Sequence, residues 1–371
     1  GILVSGSSAL FECGSPAAPR TAPFNVIFSG HSVFSAHEVS LSCGPGGHAN
    51  GPANFGEQSF VVSCAGRVRL FGAAPDTPWT RLNQTAAQGT SILSLEGAAA
   101  TAGWLVGDEV AIASTGFNAN DTEVRRIAEI LSPTQVRLNS PLGRTHNGTS
   151  ERFTRPAFGG QPARAFALHE RAEVANLSRR IVIRGTEDDR KGAHLVITQM
   201  PGLVTIVGVA LETMGRMGEL GRYPIHWHHA GDAQGDFLER SVIRNSFNRC
   251  ASLHQTNNAS LVSNICFEHF GHGFFLEDGN ETGNTFDKNI VFKSKRVPYG
   301  RHLLISDVTS RAPSRWAPPA SYWISNPDNT FTGNVAAGGE GTGFWFALKD
   351  ADHRLASKTT SPRQTAIRRF E

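Results

Sequence analysis

Within Gly221–Asp232, G-R-Y-P-I-H-W-H-H-A-G-D, the chain carries three histidines and an aspartate. His254 follows 26 residues after His228, and Glu277 follows 23 residues after that. Imidazoles and carboxylates gathered at one place could hold a divalent metal, calcium or zinc, or work as an acid/base pair on a bound sugar chain. The candidate metal ligands are His226, His228 and His254. The candidate catalytic groups are His228, His254, Glu277 and Asp232, with His272, Asp278 and Asp287 available to complete a site. A plainer reading stands beside these. Alternation along Ile225-His-Trp-His228 sets His226 and His228 on one face and Ile225 and Trp227 on the other. If the histidine face points inward, the rings are core residues bonded to turn carbonyls, and the polar ladder has a structural duty.

The elements that must position these residues repeat. Val242–His254 aligns with Ile265–Glu277 at an offset of 23, matching Phe247 to Phe270, Leu253 to Leu276 and His254 to Glu277. Helical arrays need longer units, whereas each unit here holds short apolar pieces broken by Asn, Gly and Asp. This predicts short strands and tight turns in an all-β fold, a right-handed parallel β-helix, with His254 stacked over Glu277. Looser units fall at Asn284–Phe292, Ser321–Asn334 and Gly343–Leu348, with an irregular insertion from Lys293 to Pro319. Asn245, Asn264, Asn289 and Asn334 recur beside the strands, where Asn accepts left-handed dihedrals and can bond its neighbours in the stack. Phe270, Phe274, Phe275, Phe344, Trp345 and Phe346 read as core stacking ahead of a sugar-binding platform.

Composition agrees with a turn-rich β architecture, since 39 of 371 residues are Gly and only 18% are charged. A net charge of +3 is too small to argue for a nucleic-acid partner. The basic residues of Arg363–Arg369 read as a solvated end. No run of apolar residues is long enough to span a membrane, so an anchor is expected only in a part of the protein outside this sequence. Gly1 is no initiator, which reads as a mature product or a fragment. Five cysteines, Cys13, Cys43, Cys64, Cys250 and Cys266, form no C-x-x-C pair, and their odd count leaves one thiol free or paired elsewhere. N-x-[S/T] sequons occur at Asn83, Asn120, Asn147, Asn176, Asn258 and Asn280. Asn83, Asn120, Asn147, Asn258 and Asn280 are the candidate glycan acceptors, while Asn176 leads straight into a strand.

The first third differs in texture. Strands such as Ser59–Cys64 and Arg67–Gly72 are longer and separated by Gly/Pro/Ala loops, which suggests a small β-sandwich or the opening coils of the solenoid. No glycine-rich phosphate loop joins a strand to a helix, so a nucleotide-binding reading has no support.

The order Arg67-Val-Arg-Leu-Phe-Gly, Trp79-Thr, Trp104-Leu-Val-Gly-Asp-Glu-Val, Arg171-Ala-Glu-Val, Arg179–Gly185, Gly221–His228, Gly271–Gly279 and Gly343-Phe-Trp-Phe resembles the eight-glycine (G-eight) domain plus parallel β-helix. Fibrocystin, its fibrocystin-like relatives, and the cell-migration-inducing and transmembrane hyaluronidases share that module. The resemblance implies a partial G-eight β domain over 1–115, the β-helix over 116–350, and a tail or the start of a further segment over 351–371. It also implies an extracellular or ciliary-surface glycoprotein that passes through the secretory pathway. Its partners would be other surface proteins or acidic glycans, and its role structural, adhesive or in assembly. The hyaluronidase members carry a large extra domain between the Trp-Thr and Trp-x-x-Gly-Asp segments, whereas only Arg81–Gly103 separates them here. The chain is therefore built like the fibrocystin branch. The alternative is a hyaluronidase-like glycoside hydrolase working from the His/Asp/Glu ladder.

Overall fold

A computed structural model of the chain describes residues 1–29, 38–39, 53–56, 58–186, 190–199, 201–298, 300–301, 303, 318–348 and 361–371. Among these, regular structure is almost entirely strand, with 3-10 turns at Ala119–Asp121 and Pro362–Gln364 and no α-helix. The chain divides into two compact units, 1–74 with 179–371, and 75–178.

The larger unit is a parallel β-helix. Its first sheet runs in the order Ile2–Ser5, Ser59–Ser63, His194–Thr198, Ile225–Asp232, Ala251–Asn257, Phe274–Leu276, Ala320–Ile324 and Thr342–Phe346. Two further parallel sheets, of seven and eight strands, complete each coil. The expected 23-residue step is the register of Val242–Arg244 on Ile265–Phe267 and of Ala251–Leu253 on Phe274–Leu276. Most of the expected insertion between Lys293 and Pro319 lies outside the described residues.

The first boundary differs from that expected at 115/116, and the one expected at 350/351 lies outside the described residues. The strands Ile2–Ser5, Leu10–Cys13, Phe24–Ile27, Ser59–Ser63 and Arg67–Phe71 already belong to the parallel sheets, and Ser59–Ser63 pairs directly with His194–Thr198 across the intervening unit in sequence. The first third therefore supplies opening coils, and the break falls at 74/75 and 178/179. Half-buried strands alternate identically in a sandwich and a solenoid, so their pattern could not choose between them. Near the end, Arg369–Phe370 pairs with Thr330–Phe331, which makes the last residues another strand of the second long sheet.

Inward residues from successive coils form one continuous core that includes Phe60, Ile197, Trp227, Leu253, Phe274 and Leu276. Phe274, Tyr322 and Phe344 stack ring on ring at 5.4 and 4.6 Å. Two devices hold the register. Asn289 accepts the backbone N–H of Asn264 at 2.9 Å through its side-chain oxygen, and Asn334 accepts that of Asn289 at 3.0 Å. Asn284 and Asn329 repeat this one corner away. The residues just before Asn264, Asn289 and Asn334, namely Ser263, Lys288 and Gly333, take the left-handed turn with φ of 55°, 52° and 59°. Of Asn245, Asn264, Asn289 and Asn334, all expected to suit that conformation, only Asn245 adopts it, with φ of 53°; at the other three the preceding residue does. Non-glycine residues pay roughly 1 kcal/mol for it. The asparagine bonds offset that cost in the coils from Ser241 to Asn334. The buried disulfide Cys250–Cys266 ties the start of Ala251–Asn257 to Ile265–Phe267 within one coil, and Cys13 is free.

The smaller unit is an antiparallel sheet ordered Trp79–Arg81, Glu173–Asn176, Glu109–Ile112, Glu123–Ser132, Gln135–Leu138 and Ile92–Ser94. Its core gathers Leu82, Leu93, Trp104, Val110, Ile127 and Val174. The Trp-x-x-Gly-Asp motif is a local turn. Trp104 is buried with its indole N–H on the Thr77 carbonyl at 2.8 Å, Gly107 holds φ at 92°, and Asp108 accepts the Leu105 N–H at 2.9 Å.

Replacing Asn289 removes both the acceptor for Asn264 and the donor to the Leu261 carbonyl and Asn334. Buried backbone groups left without partners are costly, so Asn289→Ala is expected to lose roughly 2–4 kcal/mol in urea unfolding. A loss below about 0.5 kcal/mol would show that the ladder does not stabilise the stack. His269 offers a pH test. Burial, assisted by the Lys295 charge, pushes it down to about 3 from 6.5. The unfolded chain then binds more protons between those values, so this contribution is present above pH 6.5 and is lost as pH falls toward 3. His269→Gln should be less stable at neutral pH but should lose less stability on acidification. Parallel Tm-against-pH curves for the two proteins would refute this.

Candidate functional site

The histidine ladder lies on the outer face of the first long sheet. Ile225, Trp227, Ala251, Leu253, Phe274 and Leu276 point into the core, so alternation turns His226, His228, His254 and Glu277 outward. His226 pairs in register with Ser252, and His228 with His254. The Glu277 N–H donates to the Leu253 carbonyl at 3.0 Å, which sets Glu277 one coil on from His254 as the repeat predicts. The reading in which the rings face the core is therefore corrected. His226 is nonetheless buried, with the equally buried Tyr223 ring edge-on to it at a centroid distance of 4.8 Å.

The rings are close. Centroids are 5.0 Å apart for His226 and His228, 5.0 Å for His228 and His254, and 6.1 Å for His226 and His254. One ring nitrogen from each lies within 4.8 Å of the others. His226 Nδ1 meets the Gly221 carbonyl at 3.1 Å, and its Nε2 stands 3.9 Å from Glu277 Oε2. Glu277 accepts from Ser252 Oγ at 3.3 Å. His254 Nε2 bonds Asp278 Oδ2 at 2.8 Å, and Gln255 donates to the same oxygen at 3.3 Å. The turn carrying Asp278 is organised by the buried carboxylate of Glu281. It accepts the N–H groups of Gln255, Asp278 and Gly279 and the Ser325 hydroxyl.

Electrostatics separate the three rings. Burial first, then the neighbouring His228 and His254, hold His226 well below the ordinary imidazole value. Burial, then His254 and His229, push His228 down to about 3. Burial opposes the charged form of His254 too, but the Asp278 hydrogen bond and the Glu277 charge outweigh it and raise that ring. Two rings are thus kept neutral beside one that a carboxylate favours charged. Burial raises Glu281 despite its backbone donors.

Other candidates fall elsewhere. Asp232 is exposed and is occupied by Asn258 at 2.9 Å and the Gln234 N–H at 3.1 Å. The reason is a register shift between His228 and Gly231, where His229 takes φ of 52° and the strand turns away. His272 accepts the Ala320 N–H at 3.0 Å and packs on Trp323, and Asp287 bonds Thr332 on another sheet. Asp278 joins the cluster as expected. The pattern gave no signal for Gly221, Ser252, Gln255 or Glu281, whose roles arise from turn geometry. His229, counted with the cluster in sequence but given no role there, sits beside His228 with ring centroids 4.4 Å apart.

Residues 190–371 match the family model described as CEMIP beta-helix. Fibrocystin-L of Mus musculus is 31% identical over 330 residues, covering 77% of this chain and 7% of that protein. Fibrocystin-L of Homo sapiens is 30% identical over 351 residues, 82% of this chain and 8% of that one. A G8 domain-containing protein of Dictyostelium discoideum is 30% identical over 335 residues, 85% of this chain and 22% of its own length. This chain belongs to the G8 and parallel β-helix family that includes fibrocystin-L. It spans only a small part of the length of these relatives. The crystal structure of the tailspike protein gp49 from Pseudomonas phage LKA1 aligns over 79% of this chain and 67% of that one, at 9% identity and a TM-score of 0.21.

The sequons separate by burial. Asn83, Asn120 and Asn258 are exposed, Asn147 and Asn280 are half-buried, and Asn176 is buried with its amide on Asp108 at 2.8 Å. The Asn147 amide already donates to the Thr149 and Glu170 carbonyls. Protein secreted from a eukaryotic host is expected to carry glycans at Asn83 and Asn120 and none at Asn176. Glycopeptide mass spectrometry that finds Asn176 occupied, or both Asn83 and Asn120 bare, would contradict this.

Proposed function

We propose that this chain is a binding and scaffolding segment of an extracellular, fibrocystin-like surface glycoprotein, which presents the ladder face to a protein or acidic-glycan partner and does not cut glycans. One observation carries this reading. The carboxylates at the ladder, Glu277, Asp278 and Glu281, all come from the single turn after Phe274–Leu276, and each already serves a neighbour. Glycoside hydrolysis by paired carboxylates needs one on either side of the sugar, roughly 5–10 Å apart. A single wall offers acid/base groups but little to clamp and distort a ring. The buried disulfide supports an oxidising compartment, in keeping with passage through a secretory pathway.

A second reading, a hyaluronidase-like hydrolase, draws on the His254–Asp278 pair at 2.8 Å, since a histidine oriented by a carboxylate is the arrangement of a general base. The family resemblance to hyaluronidases keeps it in view, but fold likeness alone does not assign chemistry. Incubating the tag-free protein with hyaluronan and related acidic glycans, with and without calcium or zinc, separates the two. Chain length is expected to stay unchanged by size-exclusion light scattering. Shortening that disappears in Asp278→Asn or Glu277→Gln would replace the scaffolding reading with the enzymatic one.

A further inference from the structure

Two equally buried histidines in this protein are finished differently. His146 places Nδ1 on the Ala113 carbonyl at 2.7 Å and Nε2 on Glu123 at 3.1 Å, so both nitrogens are used. His226 uses only Nδ1. Because the Gly221 carbonyl can only accept, Nδ1 carries the proton and Nε2 holds a lone pair. That Nε2 is buried without a hydrogen-bond partner, and so is His228 Nδ1. Buried polar atoms of this kind ordinarily find partners, and two unpartnered imidazole nitrogens in one cluster point to a missing one. His254 has its Nε2 on Asp278, which leaves Nδ1 for the cluster. A carboxylate or carbonyl behind the ring is the arrangement that orients metal-bound histidines.

We propose that His226 Nε2, His228 Nδ1 and His254 Nδ1 bind one divalent transition-metal ion of the zinc class, with Glu277 at its open side. Nitrogens about 2.0–2.1 Å from a tetrahedral zinc lie roughly 3.4 Å apart. The present span of up to 4.8 Å closes with small ring rotations. The 3.9 Å between His226 Nε2 and Glu277 Oε2 is too long for a hydrogen bond but suits two groups facing a common ion. Of the two ions expected from sequence, calcium fits poorly, because it takes six to eight oxygen ligands and this cluster offers three imidazoles. Asp278 and the Gly221 carbonyl act as positioning groups that fix which nitrogen of their ring is free. The site does not depend on whether the segment scaffolds or cuts glycans, and its test has no catalytic readout.

The test uses tag-free protein stripped with a chelator and dialysed. Calorimetric titration with zinc is expected to give one site per chain, cobalt the visible bands of a four-coordinate centre, and calcium no heat at this site. His228→Gln should weaken zinc binding by at least about 100-fold and Asp278→Asn by about 10–100-fold, while the exposed His169→Gln leaves it unchanged. Thermal unfolding of each metal-free variant shows that it still folds. Should His228→Gln not fold, Asp278→Asn alone decides. Absence of zinc binding by the folded wild type, unaltered affinity in Asp278→Asn, or preference for calcium would each overturn the proposal.

Discussion

Register is the constraint on which everything else depends. Side chains alternate along a strand, so a slip of one residue would drive His228 into the core and Trp227 out of it. Trp227 is buried with its indole N–H on Asp236 at 3.0 Å, a contact only the native register allows. The outward ladder exists because the inward one is so fully specified. The apolar positions pin the coils, and from Arg240 onward so do the asparagine bonds at one corner and the left-handed residues Arg240, Ser263 and Lys288 that turn the chain just before it.

The cluster sits where this regularity fails. Coils from Ala251 to Phe292 repeat closely, but His228 and Gly231 bracket a shift, and His229 and Gln255 both take positive φ at that corner. The strand bends there and carries Asp232 away, while the turn after Leu276 brings Asp278 in. Glu281 spends a fully buried carboxylate on holding that turn, at the cost of desolvating it. Tyr223, edge-on to His226, lowers the local dielectric. The result is a set of imidazoles that differ in proton affinity although they differ little in sequence context.

The smaller unit stands between two strands that pair in the same sheet, Ser59–Ser63 and His194–Thr198. A solenoid accepts such an insertion because each coil contacts only its neighbours, and the interruption need satisfy only the ends it joins. In that unit the hairpin of Ser150–Arg155 and Arg164–His169 is exposed along its whole length, whereas the sheet around Val110 and Val174 is closed over its own core.

The sequence by itself determined the all-β parallel stack, the coil step that sets His254 beside Glu277, the sharing of one face by His226 and His228, and the family. All but the family follow from local periodicity; the family follows from the resemblance carried by eight ordered motifs. It also made Asn176 a poor glycan acceptor, since the strand after it was legible. Only the tertiary structure decided which face was outside, because alternation names two faces without saying which meets the core. It alone showed that the strands Phe24–Ile27, Ser59–Ser63 and Arg67–Phe71 are coils of the same helix, since each pairs with a strand more than a hundred residues away. It alone separated Asp278 from Asp232. Both are aspartates near a histidine in sequence, and the difference is one bend in the backbone that no spacing rule encodes.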